Sequence, residues 1–206
     1  MTIEVVDVSV GTLVEYALIP IAFTVETVFD VAVDHGGNRF RLSERAVETA
    51  YVKDYDALAE SPVQWPARFD ASRWALMIAR IRGQCAGGAA IAYDASELDM
   101  LEGRSDLAVL WDIRVRPESR RRGVGAALLQ AAETWALGRD CRQLKVETQN
   151  VNVGACRFYE RCGFVLRAVH QGAYAECPDE VQLLWYKNLT QQKPPANIAL
   201  EPTARN

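Results

Sequence analysis

An α/β chain of the α+β kind follows from three features of the sequence. Two pairs of runs alternate apolar with polar residues and are joined by turn signals, as hairpins are. Leu107 to Val115, LAVLWDIRV, is nearly all apolar, the mark of a strand covered on both faces. The segments after it switch between helix and strand patterning.

Taken in order, Thr24 to Val33 (TVETVFDVAV) alternates β-branched and aromatic residues with polar ones. After the turn signal Asp34-His35-Gly36-Gly37-Asn38, the run Arg39 to Val47 alternates again. A second hairpin joins Trp74–Ile81 to Ala86–Tyr93 through Arg82-Gly83-Gln84. Pro117 ends the apolar strand. From Arg120 to Leu137, apolar residues recur at Val124, Leu128, Ala131 and Trp135, which predicts a helix with Gly138 as its C-cap. Gln143–Thr148 reads as a strand, Val153–Arg161 as a short helix closed by Gly163, and Phe164–Val169 and Glu180–Lys187 as two final strands. The folded domain is expected over residues 1–189. The tail over 190–206 has three prolines and almost no large apolar side chains, too few to bury a core. Its ALEPTAR string resembles the read-through translation at the ends of genes carried as integron cassettes.

Composition narrows the function classes. Half of the 206 residues are hydrophobic and 24% are charged, enough for one core without metal or disulfide staples. A net charge of −4 argues against nucleic-acid binding, which needs clustered Lys and Arg, and suits a cationic partner. The N-terminus has no basic segment ahead of an apolar run. Uncharged runs such as Tyr16 to Val25 fall short of the ~18 apolar residues that cross a bilayer, so no membrane partner and a cytoplasmic location are expected. Cys85, Cys141, Cys156, Cys162 and Cys177 are odd in number and contain no CxxC pair. They read as reduced thiols, and no metal is expected. His35 and His170 lie far apart and receive no role.

The chemistry concentrates in Val115 to Gly125, VRPESRRRGVG, where an apolar strand passes through a basic turn into a helix whose first turn holds two glycines. Helix N-termini present free N–H groups and a positive dipole end, and glycine lets phosphate oxygens approach. Arg114, Arg116, Arg120, Arg121 and Arg122 against Asp112 and Glu118 give a local charge of +3 in a chain of −4. An exposed Arg-rich turn closed by convenient glycines explains the same residues. A P-loop is excluded, because Gly125 is followed by Ala126-Ala127 rather than Lys and Ser or Thr. A Rossmann turn is excluded as well, since GxGxxG is absent.

What remains is R-x-x-G-x-G, Arg120 through Gly125, which resembles the acyl-CoA loop of the GNAT superfamily of N-acyltransferases. The second half continues with Glu147-Thr148-Gln149-Asn150 and then Asn152, Ala155, Phe158-Tyr159 and Gly163-Phe164, similar to that family's second signature. Within the superfamily, LWDIRV, LKVETQNVNVGACRFYERCGF and PDEVQLLWYK look most like the streptothricin acetyltransferase branch.

The resemblance implies a GNAT fold: a mixed, largely antiparallel central sheet flanked by helices, with two parallel strands splayed at the acetyl-CoA site. Backbone groups of Ile113, Arg114 and Val115 would pair with the pantetheine arm. The amides of Arg121, Arg122, Gly123, Val124, Gly125 and Ala126 would hold the pyrophosphate, with the Arg120–Arg122 triplet adding charge. Asn152 would touch the cofactor arm, and it also suits a helix N-cap. Glu147 matches the family's general base and equally fits a solvated or paired strand carboxylate. Tyr159 matches its general acid and equally fits a core aromatic beside Phe158. Trp65, Phe69, Trp74 and Trp185 suit either a substrate wall or the core. The implied activity is acetyl transfer from acetyl-CoA to a small cationic amine, in streptothricin an amine of the β-lysine moiety; family members are often homodimers, and the sequence itself leaves the assembly open. A polyamine or peptide acetyltransferase, or a noncatalytic acetyl-CoA sensor, accounts for the same motifs.

Overall fold

The computed structural model describes residues 2–34, 39–58 and 60–189. The turn over 35–38 and the tail after Leu189 lie outside them. In chain order the elements are β1 (Ile3–Val8), α1 (Leu13–Ala17), β2 (Phe23–Val33), β3 (Phe40–Lys53), α2 (Trp65–Arg68), β4 (Ala75–Ile81), β5 (Gln84–Ala92), β6 (Leu107–Val115), α3 (Val124–Leu137), β7 (Gln143–Gln149), α4 (Val153–Arg161), β8 (Val165–Gln171) and β9 (Val181–Asn188). Seven strands form one sheet in the order β1-β4-β5-β6-β7-β9-β8, antiparallel except for β6 against β7. The β2–β3 hairpin is a sheet of its own.

Alternation along β4 sends Met77 and Ala79 into the larger core, under α3 and α4, and Leu76 and Ile78 into a second core with Leu13, Tyr16, Ile19 and Trp65. The sheet is therefore covered on both faces around β4–β6. In α3, Val124, Leu128, Leu129, Ala132 and Ala136 are buried on the stripe that faces the sheet. The helix approaches β5 so closely that a Cβ on Gly87 would lie 2.6 Å from the Arg114 carbonyl oxygen and 3.0 Å from Val124.

Two expectations are corrected and one element is added. The helix begins at Val124 rather than Arg120, because Arg121 (φ 61°) and Gly123 (φ 88°) adopt the left-handed conformation that no α-helix contains. The second hairpin strand runs to Lys53, past an irregularity opposite Glu26 where Val25 pairs with Tyr51 but Thr27 with Ala46. The N-terminal segment forms β1, whose Ile3–Val8 pair with Ile81–Leu76 of β4.

One irregularity shapes everything that follows. Between β5 and β6 the register passes from Ile91↔Leu110 to Ala90↔Asp112, leaving Trp111 as the extra residue of a β-bulge. At that point the parallel pairing of β6 with β7 also ends, at Leu110↔Val146. Beyond it β6 pairs only with β5, and β7 only with β9, so the strands part like a wedge.

Candidate active site

The wedge opens into a cavity of about 1240 Å³. Twelve of the thirteen residues singled out in the sequence line it: Ile113, Arg114, Val115, Arg120, Arg121, Gly123, Val124, Gly125, Ala126, Glu147, Asn152 and Tyr159. Arg122 does not. On one side the first turn of α3 carries no side-chain cap, so its leading N–H groups remain available to an anion. The facing edge of β6 over 111–115 has no β7 partner, which leaves backbone groups for an extended ligand arm. Uncapped helix donors, glycines and an open strand edge fit the pyrophosphate and pantetheine of acetyl-CoA.

The side chains divide differently from the sequence reading. Arg120 donates from Nε to the Val115 carbonyl (3.1 Å) and from Nη2 to the Ala22 carbonyl (2.8 Å), so its guanidinium braces the loop. Arg114, 3% exposed, turns to the other face of the sheet, where it meets both oxygens of Asp112 (3.0 and 3.1 Å from Nε), Asp56 (2.9 Å) and the Ile19 carbonyl (3.2 Å). The Asp112 and Asp56 charges hold the Arg114 pKa above its usual value against the opposing effect of burial. Asn152 caps α4, accepting from the Ala155 N–H at 3.1 Å.

Glu147 sits where β7 leaves β6. Its Oε1 accepts from the Tyr174 hydroxyl at 2.6 Å and its Oε2 from Gln182 Nε2 at 2.7 Å. Gln149 joins them, donating to the Tyr174 oxygen (2.9 Å) and accepting from the Tyr55 hydroxyl (2.5 Å). Burial, and next the Glu147 charge, raise the Tyr174 pKa, so this phenol stays a donor to the carboxylate. Tyr55, Tyr174 and Gln182 went unseen in the sequence, because they reach the site from segments distant in the chain and carry no local signal.

Tyr159 projects from α4 and is 3% exposed, its ring edge-on to Phe158 (5.2 Å) and Phe164 (5.3 Å). Its hydroxyl has no hydrogen-bond partner among the described residues. Burial, then the Asp112 charge, raise its pKa and keep the phenol protonated. The buried Cys156 thiol is pushed up to about 11 by desolvation and rests 3.3 Å from the Thr148 hydroxyl, so it is a poor nucleophile. Trp185 is core, donating its indole N–H to Thr148. Trp65 and Phe69 line the cavity and Trp74 stands behind them. Among the described residues no group of three or more His, Cys, Asp or Glu is placed to hold a metal ion, and no helix is long and apolar enough to cross a membrane.

Comparison with known proteins agrees with this geometry. Residues 26–164 match the model of the acetyltransferase (GNAT) family. A streptothricin acetyltransferase of Escherichia coli is 30% identical over 80% of this chain and 84% of its own. Among solved structures, a nourseothricin acetyltransferase superposes with a TM-score of 0.73 at 24% identity over 92% of this chain and all of its own. A Bacillus anthracis str. Ames protein assigned to the streptothricin acetyltransferases, solved in complex with acetyl coenzyme A, gives the same score over 91% and 99%. Wedge, loop and matching sequence lead to one conclusion: the chain belongs to the GNAT family and is an acetyl-CoA-dependent N-acetyltransferase.

Proposed function

We propose that residues 1–189 form one catalytic domain that acetylates a primary amine of streptothricin or a similarly polycationic antibiotic. The observation that carries the reading is the wedge, which brings an anion-binding loop and a carboxylate–phenol pair to one cavity. Charge supports the substrate: without the +3 segment from Asp112 to Gly125 the rest of the chain carries −7, which favours encounter with a polycation.

Bound acetyl-CoA supplies the thioester carbon. The chain's own residues hold it by the Arg121–Ala126 loop and the open β6 edge, and manage two protons. Glu147, oriented at both oxygens, takes the proton from the acceptor ammonium so that the nitrogen lone pair is free. Tyr159 gives its hydroxyl proton to the departing sulfur. No cysteine is among the described residues that line the cavity, and with Glu147 and Tyr159 managing the two protons the acetyl group passes directly to nitrogen.

Expression in a susceptible bacterium tests the reading. The gene should confer streptothricin resistance, and the purified protein should release thiol from acetyl-CoA with the antibiotic. Gly125→Glu should abolish both, along with the melting-temperature rise that acetyl-CoA produces. A Cβ there meets Phe158 only at 3.5 Å, so the chain keeps its fold while a carboxylate enters the anion site. No protection, with faster turnover of polyamines or peptide amines, would remove the antibiotic reading. Glu147→Gln should lower kcat/KM most at low pH, where every acceptor arrives protonated; an unchanged pH–rate profile would shift the base role elsewhere.

A further inference from the structure

The bulge that ends the β6–β7 pairing also decides where Trp111 points. As the extra residue it is turned into the cavity, half-buried, on the sheet face that carries Asp112 and Arg114. Phe69 meets it edge-on at 5.3 Å, and Trp74 backs both rings at 5.7 and 5.6 Å. The Trp74 indole N–H is buried without an acceptor among the described residues, so ring packing is what it contributes to this set.

The carboxylates around these rings are not equivalent. Asp112 is engaged by Tyr16 (2.6 Å) and Arg114, Asp56 by Arg114, and Glu147 by Tyr174 and Gln182. Glu60 has a weak tie: its contact to Arg68 is 3.5 Å, with the two side chains 50% and 63% exposed. Such a pair is readily exchanged. The same Arg68 guanidinium lies 5.1 Å from the Phe69 ring centre, so this ring already hosts a cation at the cavity wall.

We propose that Phe69, Trp111 and Glu60 form a subsite for a second ammonium of the acceptor, one joined to the reacting amine by an alkyl chain. The methylenes lie on the two rings, and the distal ammonium displaces Arg68 from Phe69 and Glu60. The enzyme then selects alkyl-linked diamines over monoamines of the same length. The subsite rests on the proposed function only in treating the amine as the acceptor.

The test compares 1,5-diaminopentane with 1-aminopentane, by calorimetric binding in the presence of CoA and by thiol release from acetyl-CoA. The diamine should bind the wild-type protein about tenfold more tightly, and Phe69→Leu or Glu60→Gln should bring that ratio close to one without changing acetyl-CoA affinity. Equal binding of the two amines to the wild type, or variants that weaken both amines alike, would overturn the subsite. Discrimination in binding without thiol release supports the subsite and sinks transfer to these amines, so the two readings fail separately.

Discussion

Tyr159→Phe should lower kcat by ~10²–10⁴-fold while leaving the acetyl-CoA-induced rise in melting temperature in place. The ring is held by Phe158 and Phe164, and phenylalanine keeps both contacts. Only a hydroxyl with no other partner among the described residues is lost, so the change isolates one proton. Burial and the Asp112 charge raise the phenol pKa, and a raised pKa means that the protonated form persists to higher pH. Wild-type activity should therefore show no alkaline loss near the usual tyrosine range. A steady-state measurement finding kcat unchanged would return Tyr159 to a packing role.

Arg114→Met should destabilise the fold by about 3–5 kcal/mol, because it leaves Asp112 and Asp56 without the guanidinium that neutralises them. For a chain of this size that is a fall of roughly 6–20 °C in melting temperature. Replacing Asp112 by Leu in the same background should recover part of the loss, since a buried carboxylate without its cation costs more than a hydrophobic pair. A loss below about 1 kcal/mol would place the pair with solvent-screened ones. The backbone of this residue was assigned from the sequence to the cofactor edge; its side chain proves to be the centre of an ion-pair network on the opposite face.

Local patterns carried most of the fold. Leu107–Val115 and Val153–Arg161 match their expected bounds, because a proline ends the first and an asparagine cap starts the second. The start of α3 was misjudged because apolar spacing says nothing about the left-handed turn at Arg121 and Gly123. β1 was overlooked because its partner, β4, lies far along the chain and Ile3–Val8 has no adjacent turn signal. In the site, the glycine loop and the Glu147 and Tyr159 positions were legible through short motifs. The donors to Glu147 were not, since Tyr174 and Gln182 reach it across 27 and 35 residues. Nor does an arginine triplet declare which member faces an anion: the structure gives the Arg120 guanidinium to two carbonyls.

That brace has a thermodynamic consequence. Arg120 joins Val115, on the stretch of β6 that has no β7 partner, to Ala22, in the segment that links α1 to β2 and lines the cavity through Pro20, Ile21 and Phe23. Whatever strain or ordering one ligand imposes through this guanidinium must be returned in equal measure when the other binds first, because coupling between two sites is reciprocal. Cofactor affinity with and without amine, and amine affinity with and without cofactor, are thus two readings of one free energy, and an Arg120→Met variant that alters the first ratio should alter the second by the same factor.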